Sequence, residues 1–257
     1  MSISSARFRS SLPPSPYNRS IGPHRRFTWV RVNLADVKAI KNELGGTVND
    51  VVLATVAGAL GKHLRRRGHN TDGLELKAMV PVSVRADVES GALGNRVAAM
   101  MAPLPVWCQD AVARLDIVRE ELKGLKSGGQ AVGAQVLTEL SGFAPATVMG
   151  QASRLMSRQR FFNVVVTNVP GPQQPLFLAG RRMIDPFPMV PLAKNQGLGI
   201  ALLSYAGRIN FGLVGDYDVM YDLDDFADDV QESLAELAAE AGVPLTVEAN
   251  PAQAVRA

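Results

Sequence analysis

Thr47-Val-Asn-Asp-Val-Val-Leu-Ala-Thr-Val-Ala-Gly-Ala-Leu-Gly-Lys-His-Leu-Arg-Arg-Arg67 decides what the rest of the chain must build around. A hydroxyl residue, Thr47, is followed three positions later by a carboxylate, Asp50, which is a variant of the capping box and predicts a helix starting there and running to Arg67. Its first half is apolar nearly all round, through Val51, Val52, Leu53, Val56, Ala57 and Leu60, so the helix is expected to lie inside the domain. The basic end over 62–67 suits the carbonyl-rich terminus and is expected to emerge in solvent.

Working outward, 27–32 suits a strand and 34–44 a short helix ended by Gly45-Gly46. Strands are expected over 76–84 and 96–106, around a polar loop at 86–94. Helical periodicity marks 110–127, and a further helical region is expected over 132–156, interrupted at Pro145. The β-branched stretch 161–169 reads as a strand closed by Pro170-Gly-Pro172. Segments 199–204 and 208–214 flank Tyr205-Ala-Gly207 as a hairpin, and 223–241 is the last helix, its acids crowded into the first turns. The order implies an α/β layered domain with antiparallel pairing near its end. No GxGxxG or GxxxxGK[ST] follows a strand, so a doubly wound nucleotide fold is not indicated.

The flanks read differently. Residues 1–26 are rich in Ser, Pro and Arg without apolar periodicity and are expected to be a linker-like arm; 27–242 form the domain, and 243–257 a flexible tail. The 257 residues, 47% hydrophobic and 20% charged, suit one globular domain with a sizeable core. The single cysteine, Cys108, excludes an intramolecular disulfide, argues against cysteine-based metal clusters, and fits a reducing, cytoplasmic compartment. Neither a secretory leader nor a membrane span is indicated. The net charge of +3 hides an asymmetry: residues 1–35 carry six arginines and no acid, whereas 216–240 carry ten acids and no Lys or Arg. A solvated face is the simpler reading of each run; the sharper ones are attraction between them, or a basic face offered to phosphates or anionic lipid.

Candidate chemistry is sparse. The three histidines, His24, His63 and His69, have no metal-ligand spacing; His63 and His69 are expected to face solvent at the basic helix end. No GxSxG elbow supports a hydrolase triad. Asn49 and Asp50 could face a cleft from a helix N-terminus, and capping competes as an explanation. Arg85, ending the strand Val80-Pro-Val-Ser-Val-Arg85, could pair with a carboxylate or lie on the surface. Thr167 and Asn168 place hydrogen-bonding groups where a strand meets a turn, a place where clefts form and where Asn is also routine.

Thr47-Val-Asn-Asp-Val-Val-Leu-Ala54, Val80-Pro-Val-Ser-Val-Arg85, Gly94-Asn95, Val166-Thr-Asn-Val-Pro-Gly-Pro172, Leu178-Ala-Gly180 and Ser204-Tyr205 occur in the order seen in wax ester synthase/diacylglycerol acyltransferase proteins, and the resemblance runs over about 17–237. It implies one lobe of a two-lobed fold of the chloramphenicol-acetyltransferase or condensation type, with a mixed sheet and flanking helices. Family members transfer a long acyl chain from acyl-CoA to diacylglycerol or a fatty alcohol, and their base is the second His of an HHxxxDG motif in the N-terminal lobe. No HHxxxDG occurs here. The chain therefore resembles the C-terminal lobe alone, with acyl-CoA as co-substrate, no other cofactor, no metal and no catalytic base of its own.

By the same resemblance, Asn49 and Asp50 match an ND motif near the lobe interface, and Arg85 is the expected partner of the Asp in HHxxxDG. Asn95, Thr167, Asn168 and Ser204 are candidates for lining the substrate path, and 187–192 for an interface or tunnel rim. The implied partners are an HHxxxDG-bearing lobe or homologue, acyl-CoA, and diacylglycerol or fatty alcohol, with peripheral membrane or lipid-droplet contact and no nucleic acid. The rival expectation is a non-catalytic lipid-binding or interaction lobe that pairs with a full-length homologue.

Overall fold

The computed structural model describes residues 13–83, 97–127 and 162–246. Six strands form one mixed sheet: β1 (Arg25–Asn33), β2 (Glu75–Ser83), β3 (Val97–Pro105), β4 (Val164–Pro170), β7 (Leu198–Tyr205) and β8 (Arg208–Asp216). Across the sheet the order is β1-β8-β7-β4-β2-β3. The pairs at its two edges, β1 with β8 and β2 with β3, are antiparallel, as is β7 with β8, while β4 runs parallel to both β2 and β7. Between β4 and β7 a two-stranded hairpin, β5 (Phe177–Leu178) and β6 (Arg181–Arg182), stands outside this sheet. The helices are α1 (Leu34–Leu44), α2 (Val48–Arg66), α3 (Ala111–Ser127) and α4 (Leu223–Glu240). The expected helix within 132–156 and the loop at 86–94 lie outside the described residues.

Alternation along the strands gives the sheet a helix-side face. Val30, Leu76, Ala78, Val80, Leu104, Val164, Val166, Ile200, Leu202, Ile209, Phe211 and Leu213 all join one buried cluster with side chains from the four helices. Helix α2 is its centre: every residue from Asp50 to Gly61 is buried. Two glycines let it approach its neighbours. A Cβ on Gly58 would sit 2.2 Å from Ser233 Oγ on α4 and 2.7 Å from the Arg114 guanidinium carbon on α3, and one on Gly61 would sit 2.4 Å from the Val106 carbonyl oxygen. Arg114, 1% exposed, ties the helices together by donating to the carbonyls of Ala54, Cys108 and Gln109 and to Glu236 Oε2.

On the opposite face of the sheet the chain crosses back over 186–192. A Cβ on Gly212 would meet the Pro188 carbonyl oxygen at 1.7 Å, and one on Gly199 would meet Val190 Cγ1 at 2.6 Å, so the crossing needs bare backbone beneath it. Asn210 Nδ2 donates to the Pro186 carbonyl at 3.0 Å, and the rings of Trp29 and Phe187 lie 5.3 Å apart. The part of the 187–192 segment expected to be an interface rim is thus largely laid onto its own sheet, with Met189 exposed.

Three expectations are corrected. The arm is not loose over 13–26: Tyr17 is fully buried, its carbonyl accepts from Gly197 N at 2.6 Å, and Asn18 exchanges hydrogen bonds with Asn163. Strand β1 already begins at Arg25. The start of the tail is packed as well, since Val243 and Leu245 lie against the core and Thr246 N donates to Asp36 Oδ2. His63 does not face solvent; it is fully buried, with Asp222 Oδ1 at 3.5 Å from Nε2 and Asp229 Oδ2 at 3.4 Å from Nδ1. The reason is that α4 crosses the basic end of α2, so Arg66 pairs with Asp229, Arg67 with Asp222, and Lys62 with Glu236. No single helix among the described residues is long and apolar enough to cross a membrane.

Candidate functional site

The N-terminus of α2 abuts the C-terminal end of β4. Thr47 is the cap residue, in extended backbone, and its hydroxyl accepts from Asp50 N at 3.2 Å while Asp50 Oδ2 accepts from Thr47 N at 2.7 Å. Both arms of the capping box are made, and Asp50 is buried. Its carboxylate is committed to holding the helix start. Gly46, at φ +92°, turns the chain beside it, where a Cβ would come within 3.1 Å of Asp50 Oδ2.

Asn49, half-buried on that first turn, accepts from Asn168 Nδ2 at 3.4 Å. Asn168 shares the helix-side face of β4 with Val164 and Val166, which is why it reaches α2. Thr167 falls on the opposite face, in register with Ala201 of β7. The structure therefore brings Asn49 and Asn168 together and separates Thr167 from them. Ser204 closes the turn after β4: its Oγ accepts from Gly171 N at 3.1 Å and from Gln173 Nε2 at 3.3 Å. Gly171 has no room for a side chain there, since a Cβ would lie 2.3 Å from the Ser204 carbonyl oxygen. Arg85 and Asn95 lie outside the described residues.

Among the described residues no histidine stands at this site, and its one carboxylate, Asp50, is bonded to the cap. His63 is fourteen residues along α2 from Asn49, about 21 Å at 1.5 Å per residue. Exposed His69 lies just beyond that far end, and His24 stacks edge-on to Tyr217. Burial pushes the Cys108 thiol up from its ordinary range, and this cysteine sits before α3 with its sulfur donating to the Asp110 carbonyl. Among the described residues no group of three or more His, Cys, Asp or Glu side chains is placed to hold a metal ion.

The model of the WS/DGAT C-terminal domain matches residues 93–238, more than half of the chain, and that of the wax ester synthase/diacylglycerol acyltransferase catalytic domain matches residues 3–52. The chain belongs to the wax ester synthase/diacylglycerol acyltransferase family. Among its relatives, "Probable diacyglycerol O-acyltransferase tgs1" of Mycobacterium tuberculosis H37Rv is 35% identical over 227 residues, which cover 88% of this chain and 49% of the relative. A second protein of that organism, "Probable diacyglycerol O-acyltransferase tgs2", is 35% identical over 205 residues, 79% of this chain and 45% of its own length. The chain spans about half the length of the curated relatives it matches.

The wax ester synthase/diacylglycerol acyltransferase of Marinobacter aquaeolei VT8 superposes with a TM-score of 0.70 at 29% identity, over 90% of this chain and 53% of that one. The epimerization domain of the third module of tyrocidine synthetase B shares the fold alone, with a TM-score of 0.54 at 12% identity. The mixed sheet with helices thus has the fold of one lobe of the family's acyltransferases. Sequence reasoning named Ser204-Tyr205 but not Gln173, whose side chain bonds the turn from both sides; only a neighbouring Pro-Gly-Pro signalled it.

Proposed function

We propose that this chain is the C-terminal half of an O-acyltransferase of neutral-lipid synthesis, moving a long acyl chain from acyl-CoA to diacylglycerol or a fatty alcohol to give triacylglycerol or wax ester. The half that carries the HHxxxDG histidine supplies the base, which takes the acceptor hydroxyl proton as the oxygen attacks the thioester carbonyl and the CoA thiol leaves. The present lobe supplies a wall of the site. The observation that carries this reading is the Asn49–Asn168 pair, set where α2 begins and β4 ends, with every histidine of the chain elsewhere. Two side-chain amides there can orient the thioester or the acceptor without taking part in proton transfer.

The test joins this chain behind the part of the Mycobacterium tuberculosis tgs1 relative that precedes the matched region. Product from labelled long-chain acyl-CoA with diacylglycerol or hexadecanol is expected from the joined protein and not from this chain alone. Turnover by the isolated chain would overturn the division of labour. A folded, inactive joined protein that still binds lipid would favour the non-catalytic lobe.

A further inference from the structure

The C-terminal end of α2 encloses a histidine that has no part in the proposed transfer. His63 is fully buried, with Asp222 Oδ1 3.5 Å from its Nε2 and Asp229 Oδ2 3.4 Å from its Nδ1. The two carboxylates are seven residues apart, about two turns of helix, and so reach the ring from opposite sides. Two aromatic rings close over it. Tyr17, from the 13–26 segment, stacks on it with centroids 6.1 Å apart, and Phe226 of α4 meets it edge-on at 5.4 Å. Further along α2, Arg66 and Arg67 bond Asp229 and Asp222, while Lys62 on the other flank turns to Glu232 and Glu236. Among the described residues, neither ring nitrogen has a hydrogen-bond partner, nor do Asp229 Oδ2 and the Tyr17 hydroxyl. Four orphaned polar atoms in one buried cluster are destabilising unless attraction between charges offsets them.

The charge on the ring sets the sign of both contacts. An imidazole with a proton on each nitrogen points a positive N–H at both carboxylates; one that has lost a proton keeps a single donor and turns a lone pair toward the other carboxylate. Buried as they are, these contacts are little screened. The neighbours hold their charge while the ring changes. Burial pushes the Tyr17 hydroxyl well above its ordinary range, so it stays a neutral phenol. Burial would raise Asp222, but the Arg67 hydrogen bonds, His63 and the Arg67 charge hold it below the usual carboxylate range. The guanidiniums stay charged, and histidine is the side-chain type that changes charge near neutral pH. The carboxylates favour the charged ring and the arginines the neutral one, so neither form is locked in. We infer that His63 is a pH-sensitive clamp: charged, it draws Asp222 and Asp229 onto the end of α2 and fixes the ring face on which Tyr17 stacks, and on losing a proton it loosens the seat of the 13–26 segment. The clamp is closed at low pH and opens as pH rises. Gly197 reports that seat, since its amide donates to the Tyr17 carbonyl at 2.6 Å.

NMR of this chain with isotope-labelled histidine rings, read beside amide hydrogen exchange from about pH 5 to about pH 9, tests the clamp. The His63 signal is assigned by elimination, as the one that survives in both His24→Gln and His69→Gln. It is expected to show both nitrogens protonated at the acid end and one at the alkaline end. With the same midpoint, protection of the Gly197 amide, corrected for the intrinsic pH dependence of exchange, should fall at least about tenfold, while amides in the middle of β8 keep theirs. Glutamine cannot change charge, so in His63→Gln the Gly197 step should vanish. His24→Gln, which removes the exposed histidine of the same segment, should keep the step at its natural midpoint. A ring that carries a single proton at every pH where the chain is folded would overturn the clamp, and so would a Gly197 step displaced from the ring's midpoint. A step that persists in His63→Gln would belong to another group and would overturn it as well. If His63→Gln does not fold, the ring and Gly197 midpoints of the natural chain still decide, because the assignment does not depend on that variant.

Discussion

At its C-terminal end α2 buries His63 between Asp222 and Asp229 and hands Arg66 and Arg67 to the same two carboxylates. At its N-terminal end it spends Asp50 on its own cap and leaves Asn49 half-buried against Asn168. Both ends are polar and both sit beside another element, yet their bonds go to different purposes. The first set closes helix on helix within the lobe. The second set meets a strand end next to Gly171, where the chain leaves β4 for the β5–β6 hairpin. Polar residues at a helix terminus therefore mark a site only when the local cap and the helix partner have taken what they need.

The largest effect is expected at the C-terminal end. Asp229 is fully buried, with Arg66 Nη2 at 2.5 Å and His63 Nδ1 at 3.4 Å. Asp229→Ala removes the carboxylate from between two basic groups and should cost about 3 kcal/mol of stability, read as a drop in denaturant midpoint with the slope unchanged. Transfer activity of the joined protein, measured well below the lowered melting temperature, should be retained. A stable Asp229→Ala chain whose joined protein is inactive would reverse the comparison and move the site to the far end of α2.

A smaller effect with a pH signature belongs to Asp222. Burial alone would raise its carboxyl; the Arg67 hydrogen bonds, the neighbouring His63 and the Arg67 charge outweigh this and hold it below the usual carboxylate range. A carboxyl with a depressed folded value contributes stability that is present above its unfolded value, near about 3.9, and is lost as pH falls through the folded one. Asp222→Asn should therefore be less stable than the natural chain at neutral pH, by about 1–2 kcal/mol for a lost charge-assisted bond. Thermal melts across acid pH should show the gap closing as pH drops below about 4. A gap that stays constant or widens in acid would show that the Arg67–Asp222 pair is not what fastens α4 to α2.

How much of this was legible follows from where each signal resides. Caps and turns depend on neighbours a few residues away, so Thr47 with Asp50, Gly45-Gly46 after α1, and Tyr205-Ala-Gly207 between β7 and β8 were readable as they stand, and the strands fell within a few residues of their observed bounds. The burial of His63 was not, because it is decided by residues 159 and 166 positions further on. The charge asymmetry held a trace of it: the acidic run of α4 does attract arginines, yet chiefly those of the α2 end, with Arg25 meeting Asp216 as the main contribution from the N-terminal run. Tyr17 is buried through a bond to Gly197 that nothing near Tyr17 announces. The β5–β6 hairpin has strands of two residues, too short for any period to show. Asn49 and Asn168 were each visible, and their meeting at 3.4 Å was not.

The smallest stability effect tests the other half of the comparison. Thr47→Ala removes an N-cap hydroxyl and should cost about 1 kcal/mol. Asn49→Ala, two positions along, removes one long hydrogen bond from a half-buried side chain, and its stability cost should stay below about 0.5 kcal/mol. If Asn49 does no more than steady the turn, activity of the joined protein should follow stability, and Thr47→Ala should be the more damaging change. If the amide orients substrate at the lobe boundary, the order inverts: Asn49→Ala should lose at least about tenfold in kcat/KM, the equivalent of about 1.4 kcal/mol of transition-state binding, while melting with the natural chain. Steady-state kinetics of the two joined variants beside their thermal melts separates these outcomes. Equal activity for Asn49→Ala and the natural sequence would leave the N-terminal end of α2 as structural as its C-terminal end, and the distinction between them would fall.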